Sequence, residues 1–219
     1  MSVSLVPAIY ADVVYIARRM RKRDAEEIFP LTWSGRPEDL AVASVAGGIS
    51  TVALSGDVPV AAWGAIEGRP CFWNVWMFAT DRWPEVALSV TRHINREMMP
   101  AMINAGAVRA DCWSMEGHDD AHRWLELLGA VREASLEDYG ANRKVYHCYS
   151  WTKSRLEDVN VCWTLGTKSA ENACASSSSR NTRPTDTGRS GSECGGRSGE
   201  TEASSDEGAQ VYHIDGFAG

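Results

Sequence analysis

From Gly166 to Gly208 the chain carries not one Val, Ile, Leu, Met or aromatic residue, and Ser, Thr and Gly fill 22 of these 43 positions. A stretch so poor in apolar side chains cannot bury enough surface to offset its ordering entropy, so disorder of the isolated tail is expected. Any folded core is thereby confined to the residues before it. The final segment, AQVYHIDGFAG, regains Val211, Tyr212, Ile214 and Phe217, a short apolar tip on a long tether, suited to docking on a partner. The division expected is a folded domain over 1–156, a connector over 157–165, the Ser/Gly/Thr-rich tail over 166–208 and the apolar tip over 209–219.

The part before the break has the material for a core: the 219-residue chain is 44% hydrophobic, with nine tryptophans. A net charge of −7 argues against nonspecific nucleic-acid binding through the whole surface. No apolar run reaches the roughly 18 residues of a membrane-spanning helix. The N-terminus lacks the basic-then-apolar order of an export signal, so a product made in the cytoplasm is expected. The six cysteines (Cys71, Cys112, Cys148, Cys162, Cys174 and Cys194) form no Cys-x-x-Cys pair. The first three sit in apolar, strand-like runs, and all six read as reduced thiols.

Hydrophobic periodicity gives the elements. SLVPAI reads as a strand. ADVVYIARRMRKRDAEEIF reads as one helix with Val13, Ile16, Ala17, Met20 and Ile28 on one face, stopped by Pro30. RPEDLAVASVA is a second short helix. STVALS and VPVAAWGAIEG flank a Gly-Asp turn as a hairpin, and PCFWNVWMFAT, apolar on both faces, is a central strand. The segment from Arg82 to Gly106 is the longest helix, with Pro84 in its first turn, Val86, Val90, Ile94 and Met98 as its stripe, Pro100 as a kink and Gly106 as its cap. AVRADCWSM is a strand, DDAHRWLELLG a helix, and AVREASLEDYGANRKVYHCYSW two strands around residues 140–142. The order β, α, α, β, β, β, α, β, α, β, β predicts an α/β (α+β) domain: a mixed, largely antiparallel central sheet with helices on both faces.

That order, with AHRWLELLGAV, resembles the GCN5-related N-acetyltransferase (GNAT) fold. More narrowly, residues 60–152 resemble the small internal virion protein family of podovirus-type, short-tailed phages, through CFWNVWMFATD, the long helix after it and GHDDAHRWLELLGAVREASLEDYGANRKVYHCYSW. The resemblance implies a splayed sheet that holds acetyl-CoA, with glycine-rich backbone cradling its pyrophosphate just before the long helix. Here the matching stretch is FATDRWPEVALSV, and no glycine stands between Gly68 and Gly106. Side chains keep a backbone away from phosphates, and Pro84 removes a donor. The family's general acid, a tyrosine four residues before the glycine of its Leu-Gly pair, corresponds to Leu125, with Glu126, Leu128 and Gly129 matching around it. Leucine has no proton to give. Tyr139 and Tyr146 are the candidate substitutes, and the family's asparagine corresponds to His118.

Three other constellations stand in the sequence. His118 and His122, four apart, could share a helical face and a metal, but Asp119 or Asp120 is placed to cap the helix and leave His118 outside it; a third ligand would have to be His93, His147 or a cysteine. The run Arg18–Arg23 is followed by Asp24, Glu26 and Glu27 and reads as a solvated, ion-paired helix face, the alternative being a contact with DNA or an acidic protein. Cys112 with His118 as base lacks an orienting third group.

The expectation is therefore a virion-associated structural protein, in the head or the portal–tail region, that uses a catalytically degenerate acetyltransferase fold as adaptor or core component. Catalytic, cofactor-binding and metal-ligating residues are all expected to be absent, and the partners to be other virion proteins met partly through the tail, with a homo-oligomer in the particle. One alternative is an active acyl-CoA-dependent N-acetyltransferase using acetyl-CoA, with Arg82 and backbone donors near Trp83 gripping the phosphates. The other is a DNA-contacting or host-directed accessory protein using Arg18–Arg23.

Overall fold

A computed structural model describes residues 2–155. The connector, the tail and the apolar tip lie outside the described residues. Seven strands form one sheet: β1 (Val3–Pro7), β2 (Ile49–Ser55), β3 (Val58–Arg69), β4 (Phe72–Ala79), β5 (Arg109–Met115), β6 (Val131–Leu136) and β7 (Tyr146–Thr152), in the spatial order β1-β2-β3-β4-β5-β7-β6. Every neighbouring pair is antiparallel except β4–β5. The hairpin turn falls at Gly56–Asp57, where Gly56 takes φ +61°, a left-handed conformation open to glycine at little cost.

Helices cover both faces. On one, α1 (Tyr10–Ala17) and α3 (Pro37–Val45) bring Val13, Ile16 and Ala41 against Val52, Ala62 and Phe78. On the other lie α4 (Ala87–His93), α5 (Met99–Asn104) and α6 (Asp119–Leu127), whose Val90, Met102, Leu125 and the flanking Ile94 and Leu128 pack on Trp63, Trp73, Tyr149 and Trp151. Each fully buried side chain of Val or Leu size stabilises the fold by about 1.5–3 kcal/mol. Strand β4, fourth of seven, alternates Trp76 and Phe78 toward the first core with Trp73, Val75 and Met77 toward the second.

Four expectations need correction. The helix expected over 11–29 is two, α1 and α2 (Lys22–Ile28), because the chain between them does sheet-like work. Arg21 takes an extended backbone (φ −52°, ψ 143°), its N–H donates to the Ala79 carbonyl at 2.8 Å, and Met20 bridges Thr80. The long helix over 82–106 is segmented: a 3-10 turn at Trp83–Glu85, α4, a π-helical turn at Ile94–Met98, then α5. Pro100 has no N–H for the helical ladder and follows the π turn directly; the buried stripe Val86, Val90, Ile94, Met98 survives intact. Cys71 is not in a strand but in the β3–β4 turn, at φ +64°. The N-cap position of α6 is His118, whose side chain makes no capping bond, while Asp119 and Asp120 both lie in the first turn.

Candidate functional site

Strands β4 and β5 pair over three residues only, Phe72–Asn74 with Arg109–Asp111. Beyond Asn74 and Asp111 they part, and a wedge opens whose walls are Val75–Ala79 and Cys112–Met115. Backbone groups at the ends of two parting strands lose their ladder partners and must find others.

Helix α2 supplies those partners. Asp24 Oδ2 accepts the Ala79 N–H at 2.9 Å, at the end of β4. Glu27 Oε2 accepts the Met115 N–H at 2.7 Å and the Ser114 hydroxyl at 2.8 Å, at the end of β5. His118, just after β5, joins the two acids: its Nδ1 lies 2.9 Å from Glu27 Oε2 and its Nε2 3.5 Å from Asp24 Oδ1. Arg21 closes the group with a bidentate pair to Asp24 at 2.9 Å. The only residue of α2 that is fully buried is Asp24. Burial raises its carboxyl above the ordinary range, against the opposing pull of Arg21, the Ala79 N–H and His118. Tyr146 adds a further bond from its hydroxyl to the Glu27 carbonyl at 2.7 Å.

Asp24 and Glu27 were expected on a solvated face, paired with neighbouring cations. Only Glu26 behaves so, with Lys22 and Arg23, while Arg18 reaches across to Glu38 on α3. No signal in the sequence separates the three acids, since all follow basic residues at helical spacing.

On the opposite face the wedge is crossed by aromatics. The Trp83 and Trp124 rings meet edge to face, with centroids 5.5 Å apart, and the Trp124 indole N–H donates to Thr91 Oγ1 at 2.9 Å. These contacts tie α6 to the turn before α4 and to Thr91 within it. Leu125, in the position of the expected acid, is 8% exposed and belongs to the core. Gly129 closes α6 at φ +85°, so the Leu-Gly register expected from the sequence is the observed one.

The loop before α4 is where the resemblance would seat a pyrophosphate. Three of its backbone donors are engaged within the turn, Trp83 N–H on the Thr80 carbonyl, Glu85 N–H on that of Arg82 and Val86 N–H on that of Trp83, and Pro84 has none. The Arg82 guanidinium is held by Glu85 at 2.8 Å and reaches Ser55 Oγ at 3.3 Å. The Glu85 carboxyl is pulled down to about 2, first by Arg82 and then by Ser55.

No protein-family model and no curated protein matches this chain. Solved structures do. An N-acetyltransferase from Staphylococcus aureus Mu50 superposes with a TM-score of 0.56 at 10% identity, over 70% of this chain and 99% of that one. A GNAT-family acetyltransferase from Streptococcus pneumoniae gives 0.51 at 13% identity, over 69% and 99%. The ribosomal-protein-S18-alanine N-acetyltransferase from Escherichia coli gives 0.52 at 11% identity, over 69% and 94%. The chain has the GNAT acetyltransferase fold.

Within this GNAT fold the remaining candidates lie in separate surroundings. Tyr139 stacks on Trp113 at 4.5 Å, and Tyr146 is fully buried; burial raises both phenols above their usual range. His118 serves Glu27 and Asp24, while His122 faces His147, so the two do not share a metal position. Burial pushes the Cys112 thiol well up, away from the thiolate a nucleophile needs. The described cysteines, Cys71, Cys112 and Cys148, are free thiols. Among the described residues, no helix is long and apolar enough to cross a membrane.

Proposed function

We propose that this chain is a non-catalytic adaptor that uses the GNAT fold for its rigidity, and that its setting is a short-tailed phage particle. The observation that carries the adaptor reading is the bridging of the wedge from within. The strand-end N–H groups of Ala79 and Met115 already serve Asp24 and Glu27. The committed donors of the Thr80–Val86 loop and the indole contact between Trp83 and Trp124 point the same way. The virion setting rests on the sequence resemblance of residues 60–152. Its partners are other head or portal–tail proteins, and copies of this chain within the particle.

One observation favours the second reading, an active N-acetyltransferase: His118 between two carboxylates, beside the wedge, is a group able to take a proton from an amine. Thermal unfolding of the full chain against acetyl-CoA up to millimolar concentration separates the two. A ligand at about 100 times its Kd adds roughly 2.7 kcal/mol, a shift of several degrees for a domain of this size. The adaptor reading expects no shift, and a saturable one overturns it. Mass spectrometry of purified particles, where the chain should appear at fixed copy number, tests the setting.

A further inference from the structure

We infer that His122 on α6 and His147 on β7 form a two-histidine site for a divalent transition metal of the Zn2+ class. The two rings meet edge to face, with centroids 5.4 Å apart and planes at 64°. His122 Nε2 is buried and has no hydrogen-bond partner. The ring's polar neighbour is the Met115 backbone carbonyl. A carbonyl only accepts, so the N–H of the neutral ring belongs on that side and the lone pair stays on Nε2. On His147 it is Nδ1 that is engaged, 2.8 Å from Ser135 Oγ; with Nδ1–H donating to that hydroxyl, Nε2 carries the second lone pair. Imidazoles that bind metals characteristically have their other nitrogen oriented by a carbonyl, carboxylate or hydroxyl. Tyr149 stacks on the His122 ring at 5.4 Å and 29°, fixing its plane.

The electrostatics suit ligation. Burial holds both imidazoles below their ordinary range, and His147 adds to the effect on His122, so both are neutral at pH 7. A metal lone-pair site needs neutral rings. Among the described residues no group of three or more His, Cys, Asp or Glu side chains stands in a ligating array. The protein thus supplies two ligands and solvent completes the shell, which makes the site weaker than a closed structural zinc centre. His118 and His122 stand four apart in the sequence, but the fold gives His118 to Glu27 and turns His122 toward β7.

The test is calorimetric titration of Zn2+ into the full chain at pH 7.5, for the wild type, His122→Gln, His147→Gln and a His93→Gln control. The wild type and the control should bind alike. Either site substitution should weaken binding by roughly tenfold or more, and binding should fade toward pH 5.5 as the imidazoles protonate. No Zn2+ binding by the wild type overturns the inference. So does binding that is equal in the wild type and both site variants, which would put the metal on thiols or histidines elsewhere in the chain. If His147→Gln does not fold, His122→Gln, at a partly exposed position on α6, carries the test alone with the same two outcomes.

Discussion

Asp24 and Glu27 stand three residues apart on α2 and take backbone N–H groups from two different strands, Ala79 of β4 and Met115 of β5. Spacing of three puts them on one helical face, and that face spans the gap where the sheet has come apart. The wedge that defines the fold is held at a fixed width by two carboxylates and the histidine between them.

Removing Glu27 should therefore cost much more than removing a surface acid. Glu27→Ala leaves the Met115 N–H, the Ser114 hydroxyl and His118 Nδ1 without their shared acceptor. Breaking a buried, charged hydrogen-bonded group typically costs about 3–5 kcal/mol, and Glu27→Gln, which keeps one acceptor oxygen, less. Glu26→Ala, one position away and exposed, should change stability by at most about 0.5 kcal/mol. Urea unfolding of the three variants measures the order.

Thr91→Val keeps the shape of the α4–α6 contact but leaves the Trp124 indole N–H without its acceptor. The expected loss is about 1–3 kcal/mol, the cost of an unsatisfied donor in a mostly buried place. Equilibrium unfolding followed by tryptophan fluorescence would show it, and Thr91→Ser, which restores the hydroxyl, should recover most of it.

Acid should weaken the fold in two separate windows. The neutral forms of His122 and His147 are favoured in the folded state by burial. Their contribution is complete above the ordinary histidine value of 6.5 and is lost as pH falls through the lower folded values. Glu85, drawn from 4.5 to about 2 by Arg82 and Ser55, contributes above 4.5 and loses that contribution between 4.5 and 2. Stability measured against pH should decline in both windows. His122→Gln should flatten the upper one and Glu85→Gln the lower.

Gly64→Ala tests the packing of the central hairpin. A Cβ there would lie 2.3 Å from the Ile49 carbonyl oxygen and 2.7 Å from Trp76 Cζ2. The first contact is backbone and cannot swing aside. An overpacking cost of about 1–3 kcal/mol is expected. Gly56→Ala has open space for its Cβ, and only the φ of +61° acts against it. Thermal unfolding of the pair distinguishes steric from conformational cost.

Most of the fold was legible because it rests on local periodicity. The Gly56–Asp57 hairpin, the stripe Val86, Val90, Ile94, Met98, and the two-faced apolar pattern of β4 all follow from side chains a few residues apart, and the structure reproduces them. The break between α1 and α2 was not legible. Arg18–Arg23 has good helix formers throughout, and only the pairing of Met20 with Thr80 and of Arg21 with Ala79, some sixty residues away, pulls the chain out of the helix.

The site divides in the same way. Absence of glycine between Gly68 and Gly106, proline at 84 and leucine at 125 are facts of the sequence at fixed places, and the sequence alone determined them. What fills the wedge was decided by tertiary structure. A carboxylate three residues beyond an arginine has one sequence signature, whether water or two open strand ends surround it. Only the splay of β4 from β5 makes Asp24 and Glu27 structural, and only the packing of α6 against β7 brings His122 to His147. Contacts between distant segments depend on the whole sheet being formed, and no local pattern encodes them.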